Sequence, residues 1–144
     1  MITELDVRLI DIEAAFQNGD LDVEIYMEPP EGLEEFWEID KEIECLQLLK
    51  CTYGLVQAAR QYSKKFNEVV KKFGVEQSRV DPGLLLKKCE MNENMLYIAQ
   101  HIDDSLTIGR IEEIERLQKH MIECGLLTKC EELDEYLGNK IIFS

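Results

Sequence analysis

The chain has 144 residues, a length that suits one domain with a sizeable hydrophobic core. Its 30 acidic and 16 basic side chains give a formal net charge of −14, which counts against a simple nucleic-acid binder because phosphates repel such a chain. A hydrophobic content of 45% argues against a wholly disordered acidic chain. The sequence shows neither an apolar membrane span nor an apolar signal stretch at its start, so we expect an intracellular protein, cytoplasmic or nuclear, without membrane contact.

Charge is distributed unevenly along the chain. Residues 20–45 hold eleven acidic side chains and a single base, Lys41, whereas residues 46–90 hold nine bases and four acids. A run of like charges usually stays in water, so a solvated loop is the simpler interpretation of the acidic stretch. Because Phe36 and Trp37 lie within it, an acidic surface that binds another protein is the alternative.

Cysteine usage bears on the cellular compartment. The five cysteines include no C-x-x-C pair, and the two histidines do not complete a zinc-ligand spacing. Reduced thiols in a cytosolic or nuclear setting are therefore favoured over a metal site or a disulfide framework.

The first half of the chain predicts two strands and a helix. Partial alternation of apolar residues over residues 5–10 indicates a strand. Asn18-Gly19 is typical of a tight turn with positive φ angles, and alternation over residues 23–27 predicts a second strand. Apolar residues in steps of three and four over residues 59–73 predict an amphipathic helix that ends at Gly74.

The second half predicts a hairpin-rich segment and a second helix. Residues 81–83 form a turn signal, and apolar steps of three and four over residues 111–121 indicate a helix that ends at Gly125. Strands are expected over residues 84–88, 95–102 and 106–108 and, once or twice, in the tail from 136 to 143. The pattern indicates an α+β fold in which two main helices pack on one face of an antiparallel sheet.

Three carboxylates stand out on physical grounds. Asp11 follows the first predicted strand, and Asp103 and Asp104 lie between two others, at the expected tip of a hairpin. If those strands are neighbours, the carboxylates converge at one edge, where their repulsion raises their pKa values unless cations neutralise them. Mg²⁺ takes such oxygen ligands, and a two-metal centre promotes phosphoryl transfer. An Asp-Asp pair is also an ordinary turn sequence, so spacing alone leaves both interpretations open.

Five blocks that occur in order carry a family resemblance. They are DIEAAFQNGDLDVEIYMEPPEGL (11–33), TYGLVQAARQYSKKF (52–66), DPGLLLKK (81–88), HIDDSLTIG (101–109) and EYLGNKI (135–141). Together they closely resemble the reverse transcriptase of copia-type LTR retrotransposons. The resemblance extends from about residue 8 to the end of the chain.

The resemblance implies a polymerase palm, as one domain over residues 1–144 that lacks the thumb and most of the fingers. It implies an RNA-directed DNA polymerase, a nucleotidyltransferase that uses Mg²⁺ or Mn²⁺, with an RNA or DNA template-primer and deoxynucleoside triphosphates as partners. Because phosphoryl transfer depends on positioning and charge neutralisation, we expect this short, acidic form to be weakly active or inactive.

The same resemblance assigns roles to individual residues. Asp11 and Asp103 correspond to the metal-binding catalytic aspartates, and Asp104 is the second aspartate of its pair, with a weaker claim to direct ligation. The backbone carbonyl of Ile12 would be a further metal contact. Phe16 matches the bulky side chain that crowds the sugar 2′ position, a role that is compatible with its being a core aromatic.

Other assignments stay open at the level of sequence. Gln57 resembles a polar residue lining the nucleotide pocket, while Arg60 and Lys64 either face nucleic acid or are solvated. His101 stands where the family usually has Tyr, and it either perturbs primer-end contacts or is a hydrogen-bonded histidine at a strand end. The alternatives to a polymerase are a non-catalytic module that binds a protein partner or a second copy of itself, and a decayed relic.

Overall fold

The computed structural model describes residues 5–38, 45–88, 95–133, 135–136 and 139–140. Its strands are β1 (Asp6–Ile12), β2 (Tyr26–Met27), β3 (Leu46–Gln47), β4 (Glu76–Gln77), β5 (Leu84–Lys88), β6 (Met95–His101), β7 (Asp104–Gly109), β8 (Thr128–Glu132), β9 (Glu135–Tyr136) and β10 (Asn139–Lys140). The α-helices are α1 (Ala58–Lys72) and α2 (Ile111–Glu123), and 3₁₀ helices cover Ala15–Asn18 and Leu33–Glu35.

Six strands form the main sheet, in the order β4-β5-β6-β7-β1-β8, and every neighbouring pair is antiparallel. The first strand of the chain therefore lies inside the sheet, between two strands that come much later in the sequence. Two smaller pairs, β2 with β3 and β9 with β10, complete the strand pairing of the described residues.

The core lies between the sheet and its two helices. Apolar side chains recur along each helix every three or four positions, which places them on one face toward the sheet. The buried cluster contains Ile10, Ile12, Tyr62, Phe66, Val69, Val70, Leu85, Leu96, Ile98, Ile114, Leu117, Met121 and Leu126. Gly74 and Gly125 adopt φ angles of +87° just beyond the helix ends, as predicted. The predicted α+β fold is confirmed.

The opposite face of the sheet is apolar but only half-covered. Successive side chains of a strand point to opposite faces, so residues that alternate with the buried ones belong to this second face. Val7, Leu9, Leu86, Leu106 and Ile108 lie on it and are each partly exposed.

The expectation of a positive-φ turn at Asn18-Gly19 is wrong. Gly19 has a φ angle of −77°, and the left-handed conformation belongs to Ala14, at +50°. Gly19 is required for a different reason, because a Cβ there would lie 2.9 Å from the backbone nitrogen of Tyr62. The glycine thus lets the first 3₁₀ helix pack closely on α1. The second predicted strand shrinks to Tyr26–Met27.

The hairpin between β6 and β7 also differs in detail from the prediction. Asp104 is the first residue of β7, so the turn consists of Ile102 and Asp103 and not of the two aspartates. Strand β8 was missed because its sequence, TKCEE, has no apolar alternation. Of the predicted tail strands, residues 137 and 141–143 lie outside the described part of the chain.

Three further predictions concern the acidic stretch, the cysteines and membrane spans. Apart from the short 3₁₀ helix, the acidic stretch is irregular over residues 28–38, and residues 39–44 lie outside the described ranges. Cys45, Cys51, Cys124 and Cys130 have free thiols. Neither of the described α-helices combines the length and the apolar character that a bilayer span requires.

Candidate active site

The central strands bring the predicted carboxylates together. Asp11 of β1 pairs directly with Asp104 of β7, and Asp104 pairs on its other side with His101 of β6. Side chains of directly opposed residues project from the same face of a sheet. Asp11, Asp104 and His101 therefore form a row across three adjacent strands, on the face opposite the helices.

The third carboxylate is held by the hairpin turn. The backbone carbonyl of Asp103 accepts a hydrogen bond from the Ile12 N–H at 3.0 Å, which joins the turn to the end of β1. This bond fixes the backbone of Asp103 beside the strand that carries Asp11. The metal contact predicted for the carbonyl of Ile12 stays a prediction.

Backbone strain coincides with this turn. Ile102 has a φ angle of +50°, in the left-handed region that a β-branched residue rarely occupies. A two-residue hairpin turn favours positive φ angles, which glycine or asparagine would adopt at lower cost. Such strain persists only where the surrounding structure enforces it, and it is concentrated at functional sites.

The carboxylates repel one another without full compensation. Burial is the largest cause that raises the pKa of Asp104 above its usual range, followed by the negative charges of Asp103 and Asp11. The positive charge that His101 acquires when protonated acts in the opposite direction. A hard divalent cation would relieve this repulsion, because carboxylate oxygens are its preferred ligands.

A basic side chain that the sequence did not single out lies beside Asp11. Lys129 of β8 is paired in register with Asp11, on the side away from Asp104. Its ammonium group forms an ion pair with Glu13 at 3.1 Å, and this hydrogen bond is the main cause of a raised Lys129 pKa. Lys129 was missed because β8 itself was missed.

The carboxylate oxygens of this site are of the kind that a hard cation binds, but their spacing is wider than that of a formed metal site. Within the described ranges, no three His, Cys, Asp or Glu side chains are close enough together to hold a metal ion. Mg²⁺ is commonly held by only one or two carboxylates, with substrate phosphates and water completing its shell. Asp11, Asp103 and Asp104 offer carboxylates of the type and number that such a Mg²⁺ ion needs.

Phe16 lies in the 3₁₀ helix that follows β1. Its ring packs edge-on against Tyr53, with ring centroids 4.7 Å apart, and against Tyr62 at 6.4 Å. Phe16 also contacts the buried core, so its interpretation as a core aromatic is correct. Tyr53 is largely exposed and was missed, because an isolated aromatic in a loop has no periodicity to mark it.

The remaining predicted residues lie on or next to α1. Gln57 precedes the helix and is half-buried, and its backbone carbonyl accepts the Gln61 N–H at 3.0 Å. Arg60 and Lys64 are exposed on the first two turns. Among the described residues, the charges that shift Asp104 are those of Asp103, Asp11 and His101, so neither base belongs to the electrostatic cluster.

Comparison with known families shows to which family the chain belongs. Residues 2–144 match the family model described as reverse transcriptase (RNA-dependent DNA polymerase). The chain belongs to the reverse transcriptase family. Reverse transcriptases in general use divalent metal ions and bind a nucleic acid template and deoxynucleoside triphosphates.

Relatives of this reverse transcriptase domain come from transposons. The chain is 37% identical over 140 residues to the retrovirus-related Pol polyprotein from transposon TNT 1-94 of Nicotiana tabacum, covering 96% of the chain and 10% of that protein. It is 26% identical over 139 residues to a putative transposon Ty5-1 protein of Saccharomyces cerevisiae, covering 92% and 42%. The chain thus spans less than half the length of either relative. The resemblance to a retrotransposon Pol reverse transcriptase is confirmed.

Proposed function

We propose that this chain is the palm of an RNA-directed DNA polymerase of the copia type, in which Asp11, Asp103 and Asp104 hold two Mg²⁺ ions for nucleotidyl transfer. The observation that carries the proposal is the direct pairing of Asp11 with Asp104, next to a turn that ties Asp103 to β1. Mn²⁺ would serve in the same place, because it accepts the same oxygen ligands.

Each group of residues at the site would have its own role. The three carboxylates would hold the metal ions, which would lower the pKa of the attacking hydroxyl and neutralise charge on the phosphate. Phe16, held from two sides by Tyr53 and Tyr62, offers a rigid ring that would crowd the sugar 2′ position. Gln57 would contact the incoming nucleotide.

Template binding is the weaker part of the proposed activity. Arg60 and Lys64 are exposed on α1 and would face the nucleic acid backbone. The net charge of −14 opposes them, because each phosphate approaching the domain meets an excess of carboxylates. We therefore expect weak extension by this chain alone and a steep loss of it with added salt.

Primer extension on an RNA template with Mg²⁺ tests the catalytic proposal. We expect extension by the wild-type chain and a loss of at least about 100-fold in Asp103→Asn, the size expected when a group that stabilises transition-state charge is removed. Asp22→Asn is the matched control, because Asp22 is an exposed carboxylate outside the site. Equal extension by the wild type and Asp103→Asn, or none by either, would contradict catalysis and leave the family membership intact.

A second function is favoured by the acidic segment. Phe36 and Trp37 are 84% and 71% exposed, beside Glu35 and Glu38 and within the stretch from residue 20 that is almost devoid of bases. Exposed aromatic rings with a surrounding single-sign charge fit a basic protein partner, or the basic stretch 46–90 of a second copy.

Trp37 is the single tryptophan of the chain, so its fluorescence reports directly on this surface. We expect a blue shift of the emission when an oligolysine peptide is added or when the chain is concentrated, and no shift at high salt. Phe36→Ser should weaken the response, and Val56→Ser, at another exposed apolar residue, should not. Emission that stays constant in both titrations would contradict a protein-binding role for these rings.

A further inference from the structure

Tyr62 of α1 contains a polar atom that the fold leaves unsatisfied. Its side chain is 1% exposed, and its hydroxyl has no hydrogen-bond partner among the residues that the structure describes. A buried hydroxyl without a partner costs free energy, and buried tyrosine hydroxyls usually find one. An apolar phenylalanine of the same shape would avoid that cost, so the hydroxyl requires an explanation.

The surroundings of the ring hold it in one place. Phe16 packs edge-on at 6.4 Å between ring centroids, and Phe66 lies at 6.1 Å on the same helix. The backbone at Tyr62 is pressed by Gly19, where any Cβ would be only 2.9 Å from the Tyr62 nitrogen. The ring is therefore held by aromatic neighbours and by the close packing of its backbone.

A cleft connects Tyr62 with the turn that carries Asp103. Tyr62 and Ile102 line the same cleft of about 270 Å³, and Ile102 is the strained turn residue that precedes Asp103. The pKa of Tyr62 is raised well above its usual range, first by burial and then by the charges of Asp103 and Asp11. The charges of both carboxylates are thus close enough to affect the Tyr62 hydroxyl.

We propose that Tyr62 is a positioning residue whose hydroxyl donates a hydrogen bond to the carboxylate of Asp103, directly or through a water in the cleft, when a divalent cation binds. This inference rests on the proposed metal site. A ligating carboxylate uses one oxygen for the cation, and a donor on its second oxygen fixes its orientation. The cost of the unpaired hydroxyl would then be recovered when the metal ion binds.

Tyr62→Phe removes the hydroxyl alone and provides the test. We expect Mn²⁺ affinity, measured from the electron paramagnetic resonance signal of free Mn²⁺, to fall about tenfold, the size typical of a lost partner of a metal ligand. The thermal midpoint in EDTA should stay equal or rise, because an unsatisfied buried group has been removed. Tyr26→Phe is the matched control: its exposed hydroxyl donates to Glu24 at 3.1 Å, outside the site, and its loss should leave Mn²⁺ affinity unchanged.

Three results would overturn the inference in distinguishable ways. Equal Mn²⁺ affinity of the wild type and Tyr62→Phe, with an equal or higher thermal midpoint of the variant in EDTA, would remove the positioning role and leave the proposed metal site standing. A lower thermal midpoint of Tyr62→Phe in EDTA with unchanged Mn²⁺ affinity would assign the hydroxyl to a structural water in the cleft. Absence of Mn²⁺ binding by the wild-type chain would contradict the proposed function, and the inference would fall with it.

Discussion

At one end of the six-stranded sheet, Asp11 and Asp104 lie side by side with Asp103 in the adjoining turn. Burial raises the pKa of Asp104, and the like charges of Asp103 and Asp11 raise it further. At the other end, charges of opposite sign meet. Lys87 of β5 pairs with Glu113 of α2 at 3.4 Å, with side chains only 14% and 13% exposed, and its ammonium group also lies 3.7 Å from the centre of the Phe73 ring.

The two ends of the sheet differ in what their charges contribute to the stability of the fold. A largely buried pair of opposite charges with an aromatic neighbour satisfies both ions and secures α2 to the sheet. A row of like charges contributes no such stabilisation and is tolerated where a ligand will supply the missing charge. We therefore expect charge-removing substitutions at the Lys87 end to lower stability, and charge-removing substitutions at the carboxylate end to change metal binding without lowering stability.

The largest loss of stability should come from disturbing the close packing of Gly19 on α1. In Gly19→Ala the new methyl group would lie 2.9 Å from the backbone nitrogen of Tyr62 and 3.1 Å from the backbone carbon of Gln61, which cannot move separately from α1. We expect a loss of about 2–3 kcal/mol in the free energy of unfolding, measured with urea.

Gly109→Ala is the matched variant at the opposite end. Its methyl group would meet the terminal Cδ1 atom of Leu96 at 2.7 Å, and a side-chain tip can rotate away. We expect a loss of only about 1 kcal/mol. Equal losses in the two variants would show that backbone approach at Gly19 does not limit the packing.

Removing the charge of Lys87 should have the next largest effect. Lys87→Met keeps an unbranched apolar chain against Phe73 but leaves Glu113, which is largely buried, with Arg116 as its remaining ion-pair partner. We expect a loss of about 1–2 kcal/mol in urea, below the cost of a fully unpaired buried charge. Lys119→Met breaks an exposed pair with Glu123 and should cost less than about 0.5 kcal/mol.

The smallest expected change is an increase in the free energy of unfolding. Asp104→Asn removes a carboxylate whose pKa is raised in the folded state, mainly by burial and then by Asp103 and Asp11. A raised folded pKa means that the folded state holds its proton more tightly, so stability falls as pH rises from the ordinary value of 3.8 through the folded pKa. Solvent screening keeps the expected gain of Asp104→Asn at pH 7 below about 1 kcal/mol.

The gain should also depend on pH. We expect it to disappear well below pH 3.8, where Asp104 is protonated in both states, so thermal melts of Asp104→Asn and the wild type should converge there. Asp22→Asn, at an exposed carboxylate, should show no such convergence. A loss of stability in Asp104→Asn at pH 7 would mean that Asp104 already has a compensating partner.

Local spacing of apolar residues and glycines correctly predicted which helix faces are buried and where the helices end. The helical stripes buried the expected faces, and Gly74 and Gly125 ended both helices. The convergence of Asp11 with Asp104 was expected only on the condition that their strands are neighbours, and pairing between strands separated by some ninety residues supplied that condition.

The misses have physical reasons as well. Gly19 reads as a turn residue, but its role depends on a helix that begins at Ala58 and cannot be seen locally. Strand β8 owes its conformation to the hydrogen bonds of β1 and not to its own polar sequence. The unpaired hydroxyl of Tyr62 becomes visible only when burial and partners are known atom by atom.

The interior position of β1 has a consequence for how the molecule is made. Strands β5, β6 and β7 follow one another as hairpins and can pair soon after synthesis, whereas β1 must wait for residues 104–109 and 128–132. Such distant pairing is slow, because the chain between must be ordered before the contacts form. Until β8 arrives, β1 presents an unpaired apolar edge, which is a template for aggregation. A ribosome that stalls before residue 128 would release a chain that has all three aspartates and an exposed edge beside them.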